Sequence, residues 1–390
     1  MVYAGTHQSS PPTTTGTPTL RAVEPVRGQR AAAPTARVAL VHLGNERGLG
    51  TTRRVAVWRE LLEAACCEPV EVNLLAQHRR PVPSPLVALP ALRGAVVPET
   101  ATWSARSARA AIRAMDPDAV VFVTPRAFHP ALASEGRVRI LDIQDRFSRS
   151  YRGRAAVERR FAATASWQAL AWVTDRFERR DHQVTVVAAG WSEAREIGAT
   201  WIPNTVPTTS SGPITDHADA QADLLFFGKL SALPNIDALR RLAALWPALT
   251  AEIPTLRVLV AGADLCPEVR ALAAERGWSA EEGFTDVAAL CRRARVAVAP
   301  LRHANGIQNK VLEAAACGLP QVVSPQALAG TAPGFPAIAT ASAAGLVSGI
   351  SSLLSDGSAR LDLARRAHAH VVERYSVERW SEVVHDLLAA

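Results

Sequence analysis

The chain has 390 residues, 48% of them hydrophobic and 20% charged, with a formal net charge of +7 and a pI near 9.7. That length points to two domains with sizeable cores, and the positive surplus favours anionic partners such as nucleotides or anionic lipid. Composition excludes a wholly disordered chain, no apolar run approaches the ~18 residues of a membrane span, and dispersed arginines without zinc spacing or a recognition-helix pattern argue against nucleic acid. Residues 1–36 are rich in Pro, Thr, Gly, Ala and Arg and are expected to form a disordered tail. The tail lacks the apolar core of a signal peptide, so a cytoplasmic location is expected. Strands are predicted at residues 38–43, 70–72, 119–123, 138–143 and 184–188. Helices are predicted at 53–65 and 104–115, with an Arg/Ala-rich helical region up to about 180. These elements make a first unit, 37–202. A stretch rich in Pro, Thr, Ser and Gly predicts a linker over 203–221. The alternation then restarts, with strands at 223–227, 257–261, 296–299 and 321–323 and a short element near Gly283. Helices are predicted at 236–245, 268–276, 287–293 and 310–316, and two more close the chain, giving a second unit over 222–370 and a returning segment over 371–390. Short apolar strands alternating with amphipathic helices define an α/β class with parallel sheets covered on both faces.

Only two of the 43 strong bases are lysines, Lys229 and Lys310. Lys229 follows Leu224-Leu225-Phe226-Phe227-Gly228, an apolar strand ended by glycine. Lys310 follows Gly306-Ile307-Gln308-Asn309, a loop entering a helix. Both lie at strand-loop-helix junctions, where backbone N–H groups and the helix dipole favour phosphate. A compact ammonium adds a point charge to such a site. Two such sites fit one diphosphate ligand held between them; two surface lysines are the other reading. Lys310 and Glu313 share a helical face. The carboxylate can accept hydrogen bonds from a ribose diol, or the two residues form an ordinary i,i+3 ion pair. Five cysteines, at 66, 67, 266, 291 and 317, show no C-x-x-C spacing, and neither a disulfide nor a metal site is expected.

The segment from Pro300-Leu301 through Gly306-Ile307-Gln308-Asn309-Lys310-Val311-Leu312-Glu313-Ala314 to Gly318-Leu319-Pro320 resembles the donor-binding motif of the family 4 retaining glycosyltransferases. Within that family it is similar to a bacterial branch of sugar transferases associated with exopolysaccharide loci. Phe227-Gly228-Lys229, Pro234-Asn235-Ile236-Asp237-Ala238, Val260-Ala261-Gly262, Gly283-Phe284-Thr285-Asp286-Val287 and Ile202-Pro203-Asn204 appear in the order the family has them. The resemblance covers nearly all of 185–330 and the N-terminal half thinly. It implies a GT-B fold, two Rossmann-like domains facing each other across a cleft, with the last helix returning to the first domain. By the same resemblance, Lys229 and Lys310 neutralise the diphosphate of a nucleotide-sugar donor beside Gly228. Glu313 holds the ribose, and the backbone of Asn305, Gly306 and Ile307 faces the transferred sugar. The family motif has two glutamates eight apart; the first is Asn305 here. A basic residue that many members place after the Gly-Lys/Arg dipeptide is replaced by Pro234-Asn235.

In the N-terminal half the loop after the first strand contains Gly44, Gly48, Gly50, Thr51 and Thr52, with neither dinucleotide nor Walker spacing. The resemblance puts Gly48, Gly50 and Thr51 near the acceptor and the phosphates, whereas Thr51 or Thr52 is also a candidate helix N-cap. Asp145 stands where many members carry a His-Asp pair and is a candidate for orienting the acceptor hydroxyl, or a plain helix cap; Gln144 takes the His position. His129 is a further loop candidate. Trp191-Ser192-Glu193-Ala194 reads as a capping turn. The expected activity is retaining transfer of a sugar to a hydroxyl acceptor that the sequence does not identify. No cofactor and no metal are expected, because no Asp-x-Asp pair stands at a strand end. An epimerase on the same fold, or a nucleotide-sugar-binding protein without turnover, are the alternatives. Arg146, Arg149, Arg152, Arg154, Arg159 and Arg160 lie in one helical region; they either contact an anionic membrane peripherally or pair with Glu158 and its neighbours.

Overall fold

The run Val38-Ala39-Leu40-Val41 has no exposed surface, the condition of a strand inside a parallel sheet covered on both faces. It lies in β1 (Arg37–His42), the first element of a computed structural model that describes residues 36–44, 49–80, 84–158, 160–206 and 214–389. The expected tail, Gly48 and Arg159 lie outside the described residues. After β1 come α1 (Leu49–Ala64), β2 (Glu68–Asn73), α2 (Leu74–His78), α3 (Ala88–Leu92) and α4 (Ala105–Met115). The first domain continues with β3 (Ala119–Val123), β4 (Val138–Asp142), α5 (Phe147–Val157), α6 (Phe161–Glu178), β5 (Thr185–Ala188), α7 (Trp191–Ile197) and β6 (Thr200–Trp201). Its six strands are parallel, in the order β2-β1-β3-β4-β5-β6.

The second domain holds β7 (Ala222–Phe227), α8 (Leu233–Glu252), β8 (Val258–Gly262), α9 (Pro267–Arg276), β9 (Ser279–Glu282), α10 (Val287–Cys291) and β10 (Ala294–Ala299). It continues with α11 (Asn309–Ala316), β11 (Gln321–Val323), β12 (Ile338–Ala339), α12 (Ala343–Ser355) and α13 (Gly357–Tyr375). The parallel order is β12-β11-β10-β7-β8-β9. The chain order reverses between β7 and β10, and ligands of open α/β sheets bind beyond the strand ends at such a switch point. The two lysine-bearing segments leave those two strands.

After a break at Ser376, α14 (Val377–Ala389) runs beside α1, and its Trp380 and Val384 pack among Val38, Leu40, Trp58 and Leu61. The last helix thus begins at Val377, and the first residues of the returning segment 371–390 still belong to α13. Three helices, not two, close the chain. The helical region before residue 180 is two helices, α5 and α6, stacked through Tyr151 and Trp167. Thr51 and Gly50 belong to the first turn of α1. Neither lies in an open glycine loop, and Thr51 is not a cap.

Arg146 corrects the reading of a basic surface. Its side chain is fully buried, 3.0 Å from Glu178 and paired with Asp175 and Glu196. Arg149 pairs with Glu196, Arg152 with Asp175 at 3.2 Å, and Arg160 with Glu158 at 3.4 Å. Arg154 stacks on the Trp167 ring. These side chains tie α5 to α6 and α7 as much as they charge the surface.

Candidate donor and acceptor site

β7 delivers Gly228 and Lys229 to the switch point, and the loop after β10 delivers Lys310 in the first turn of α11. Asn235, buried in the first turns of α8, joins them. Its Oδ1 accepts from Lys310 Nζ at 2.6 Å, and its Nδ2 donates to the Lys229 carbonyl at 2.8 Å. The Lys310 ammonium sits 4.3 Å above the Phe226 ring, a cation–π contact. A Cβ on Gly228, whose φ is +143°, would come within 3.1 Å of Lys310 Nζ. Glycine is needed there for both space and backbone. Burial pushes the Lys310 ammonium down to about 7, with only Glu313 opposing. The ammonium is largely withdrawn from water, and among the described residues it has no carboxylate at ion-pair distance. Such a group is primed to take an anion. Lys229 is held by Asp264 at 3.0 Å, and the ammonium keeps that exposed carboxyl below its ordinary range. Glu313 is half-buried on the same face of α11 as Lys310. Burial raises its carboxyl while Arg53 and Lys310 pull it down.

The other wall comes from the first domain. The Glu193 side chain, 1% exposed, accepts from the Gly306 backbone N–H at 3.0 Å. Arg149 lies 3.5 Å from the same carboxylate, and Ser192 Oγ donates to it at 2.8 Å. The Asp145 carboxylate packs directly against Gly306, where a Cβ would overlap it. Burial first, then the neighbouring Glu193 carboxylate, pushes Asp145 up to about 7, against the pull of Arg54. The Asn305 side-chain amide meets Ser150 Oγ of α5 at 2.9 Å. The backbone of Trp191 donates to the Gly330 carbonyl at 2.9 Å. Asn305, Gly306 and Asp145 are therefore brought together across the interdomain cleft. Lys229, Lys310, Gly228 and Glu313 form a second group at the switch point of the second domain's sheet, and Ile307 is buried in that domain's core.

Thr51 stands apart from the Asp145 group: it is buried, and its Oγ1 accepts from Arg126 at 3.1 Å. His129 is turned to its own loop, its Nδ1 accepting from the Ala131 N–H at 3.1 Å, with its ring edge-on to Trp103. Gln144 holds φ +57°, and its Oε1 is buried without a hydrogen-bond partner. Glu193 is the residue that the sequence reading misplaced. The Trp191-Ser192-Glu193-Ala194 turn at a helix start looks like a cap, but its acid reaches 113 positions along the chain to Gly306. Asn235 stood in plain view as the substitute for a basic residue; what it does is position the base that remains.

Gly306→Ala is expected to disrupt this junction, because φ is +60° and the methyl would fall on Asp145. A left-handed alanine costs about 1–2 kcal/mol from backbone strain alone. The overlap adds to that, so a loss of several degrees in melting temperature should be measured by scanning calorimetry.

Two Rossmann-like domains with parallel sheets, the lysine-bearing loops of one facing the acid-bearing loops of the other, define the GT-B fold. Residues 221–356 match the protein family described as glycosyl transferases group 1. No curated protein matches the chain in sequence. Among solved structures, Anabaena HepE with UDP-glucose bound superimposes with a TM-score of 0.60 at 14% identity, over 90% of this chain and 99% of that one. Sucrose-phosphate synthase from Thermosynechococcus elongatus gives 0.60 at 14% identity, over 91% and 98%. TarM of S. aureus, in complex with alpha-GlcNAc-glycerol and UDP, gives 0.54 at 9% identity over 73% of this chain. The chain spans 59% of the length of that TarM protein. At these identities the likeness is one of fold.

Proposed function

We propose that this chain is a retaining glycosyltransferase that moves a sugar, of hexosyl type, from a nucleotide-diphosphate sugar to a hydroxyl acceptor. The observation that carries the reading is the buried Asn235, which holds Lys310 and the Lys229 backbone at one switch point. Breaking the anomeric C–O bond develops charge on the departing diphosphate. Two ammonium groups and the α11 N-terminus are preorganised for that charge. In this reading Gly228 lets the phosphates approach, and Glu313 takes the ribose hydroxyls. Gly306, Ile307 and Asn305 border the sugar, and Asp145, with its raised carboxyl, orients the acceptor hydroxyl. The lysines do the work that a divalent ion does elsewhere, so turnover is expected to persist in excess EDTA. HepE and TarM, with UDP bound, support a uridine donor as the first to try. The similarity to the family 4 branch from exopolysaccharide loci supports a glycan, a lipid-linked sugar or a small metabolite as acceptor. Peripheral contact with an anionic membrane belongs to the same reading, given the net charge of +7.

A binding protein without turnover is the second reading, favoured by one observation. Asn305 replaces the carboxylate of the resembled motif and is engaged with Ser150. Slow release of nucleoside diphosphate from a donor sugar without acceptor separates the two, since only a transferase produces it. The donor site itself is tested by calorimetry with UDP, GDP, ADP and TDP. At least one should bind, and Glu313→Gln should weaken that one by roughly 1.5–3 kcal/mol through loss of charge-assisted bonds to the ribose. Unchanged affinity in the variant would return Glu313 to an ordinary surface position.

A further inference from the structure

α6 presents an apolar stripe to solvent. Phe161 is 89% exposed and Trp172 51%, and Ala165 and Ala169 between them are also exposed. Positions 161, 165, 169 and 172 fall on one helical face. Beside it, α3 is seated on α6 through Ala91 and Val173. Leu89 and Leu92 flank that seam, 56% and 52% exposed, and Leu86 precedes them at 83%. Exposed leucines scattered singly need no explanation, but two adjoining elements that both leave large apolar side chains in solvent do. The rim is basic. The Arg176 guanidinium stacks on Trp172 at 5.0 Å, and Arg180 donates to the Arg93 carbonyl across the same seam at 3.1 Å. None of the described helices is long and apolar enough to cross a membrane.

We infer that the α3–α6 face docks on an anionic lipid surface, with the apolar side chains entering the acyl boundary and the arginines at headgroup level. Charge chooses this occupant. An arginine rim on a chain of net charge +7 complements anionic headgroups and opposes a second copy of itself. Arginine and tryptophan also suit the interface, where one end of the side chain is apolar and the other wet. The placement serves the cleft: α6 stacks on α5 through Trp167 and Tyr151, and Ser150 of α5 touches Asn305. A lipid surface at this face is therefore linked to the loop at Asn305 through one intervening helix, α5. This inference rests on the proposed membrane contact and replaces its arginine-helix basis, since Arg146 is buried.

The test is co-sedimentation of the full chain with vesicles of phosphatidylcholine alone, or with about one-third phosphatidylglycerol. The mixed vesicles should carry the protein down and the neutral ones should not. The neutral variant Leu89→Ser/Leu92→Ser/Phe161→Ser/Trp172→Ser keeps every charge and should lower the bound fraction at least tenfold. If that variant does not fold, Phe161→Ser alone, at a side chain almost wholly in solvent, should lower it severalfold. Undiminished binding by either folded variant, or no binding by the wild type, overturns the inference. So does self-association in place of vesicle binding that the variant abolishes, which would assign the face to a second copy. Thermal shift by nucleoside diphosphate is read in parallel. Vesicle binding without any nucleotide shift removes the donor-site reading and leaves this one standing.

Discussion

Lys310→Met should stabilise the protein and disable its donor site together. The Lys310 ammonium lies over Phe226, with the neutral amide of Asn235 as its hydrogen-bond partner, and burial drives it down to about 7. A lysine depressed below its unfolded value costs stability at neutral pH, a cost that fades as pH rises toward 10. Methionine has similar length and no charge, so ~1–3 kcal/mol of stabilisation is expected, or a few degrees in apparent melting temperature. Nucleoside diphosphate affinity should fall by ~2–4 kcal/mol, the scale of losing one preorganised charge partner. Wild-type binding should also be pH-linked. The free site loses its proton near 7 and the occupied site keeps it, so affinity should decline by up to about tenfold per unit as pH rises from 7 to 9. Titration calorimetry in buffers of different ionisation enthalpy would read the proton uptake, and Lys310→Met should abolish it. A destabilised variant with unchanged, pH-independent affinity would make Lys310 a packing residue.

What the sequence made legible was local. Ala119–Val123 could be read as a buried strand because every residue in it is apolar. The loop before Lys310 could be read as a ligand site because glycine, polar residues and a rare lysine stand together at a helix start. The pairings that cross the cleft could not be read this way. Glu193 looked like a cap because its partner is a backbone N–H in the other domain. Arg146 looked like surface charge because the acids that bury it lie 29 to 50 positions away. The exposed leucines of α3 sit in a stretch with no clear periodicity, and the elements between 74 and 102 are too short to show one. Asn235 shows the middle case: the dipeptide was noticed, but only geometry shows that an amide can hold one lysine by its side chain and another by its backbone.

The same distinction sets a large expected loss of stability at Arg54, a residue that no local pattern singles out. Its guanidinium is fully buried. It donates to Asp142 at 2.6 Å, to the Ile202 carbonyl at 2.7 Å, to the Pro203 carbonyl at 3.0 Å and to Asn204 Oδ1 at 3.1 Å. Asp142 is equally buried, and Trp58 Nε1 donates to it at 2.6 Å. Arg54→Met strands a buried carboxylate and three acceptors in the interdomain segment, so ~3–5 kcal/mol of destabilisation is expected. Adding Asp142→Leu should recover part of that loss, because the stranded charge is then gone. A functional consequence separates this pair from Arg146, another buried arginine. Asn204 Nδ2 also donates to Asn309 Oδ1 at 2.8 Å, at the first residue of α11 beside Lys310. Arg146→Met should cost comparable stability, yet its partners lie only in α6 and α7. At a temperature where both variants remain folded, Arg54→Met should therefore weaken nucleoside diphosphate binding and Arg146→Met should not. Equal binding by the two would show that the segment at 202–204 holds the domains together without shaping the donor site.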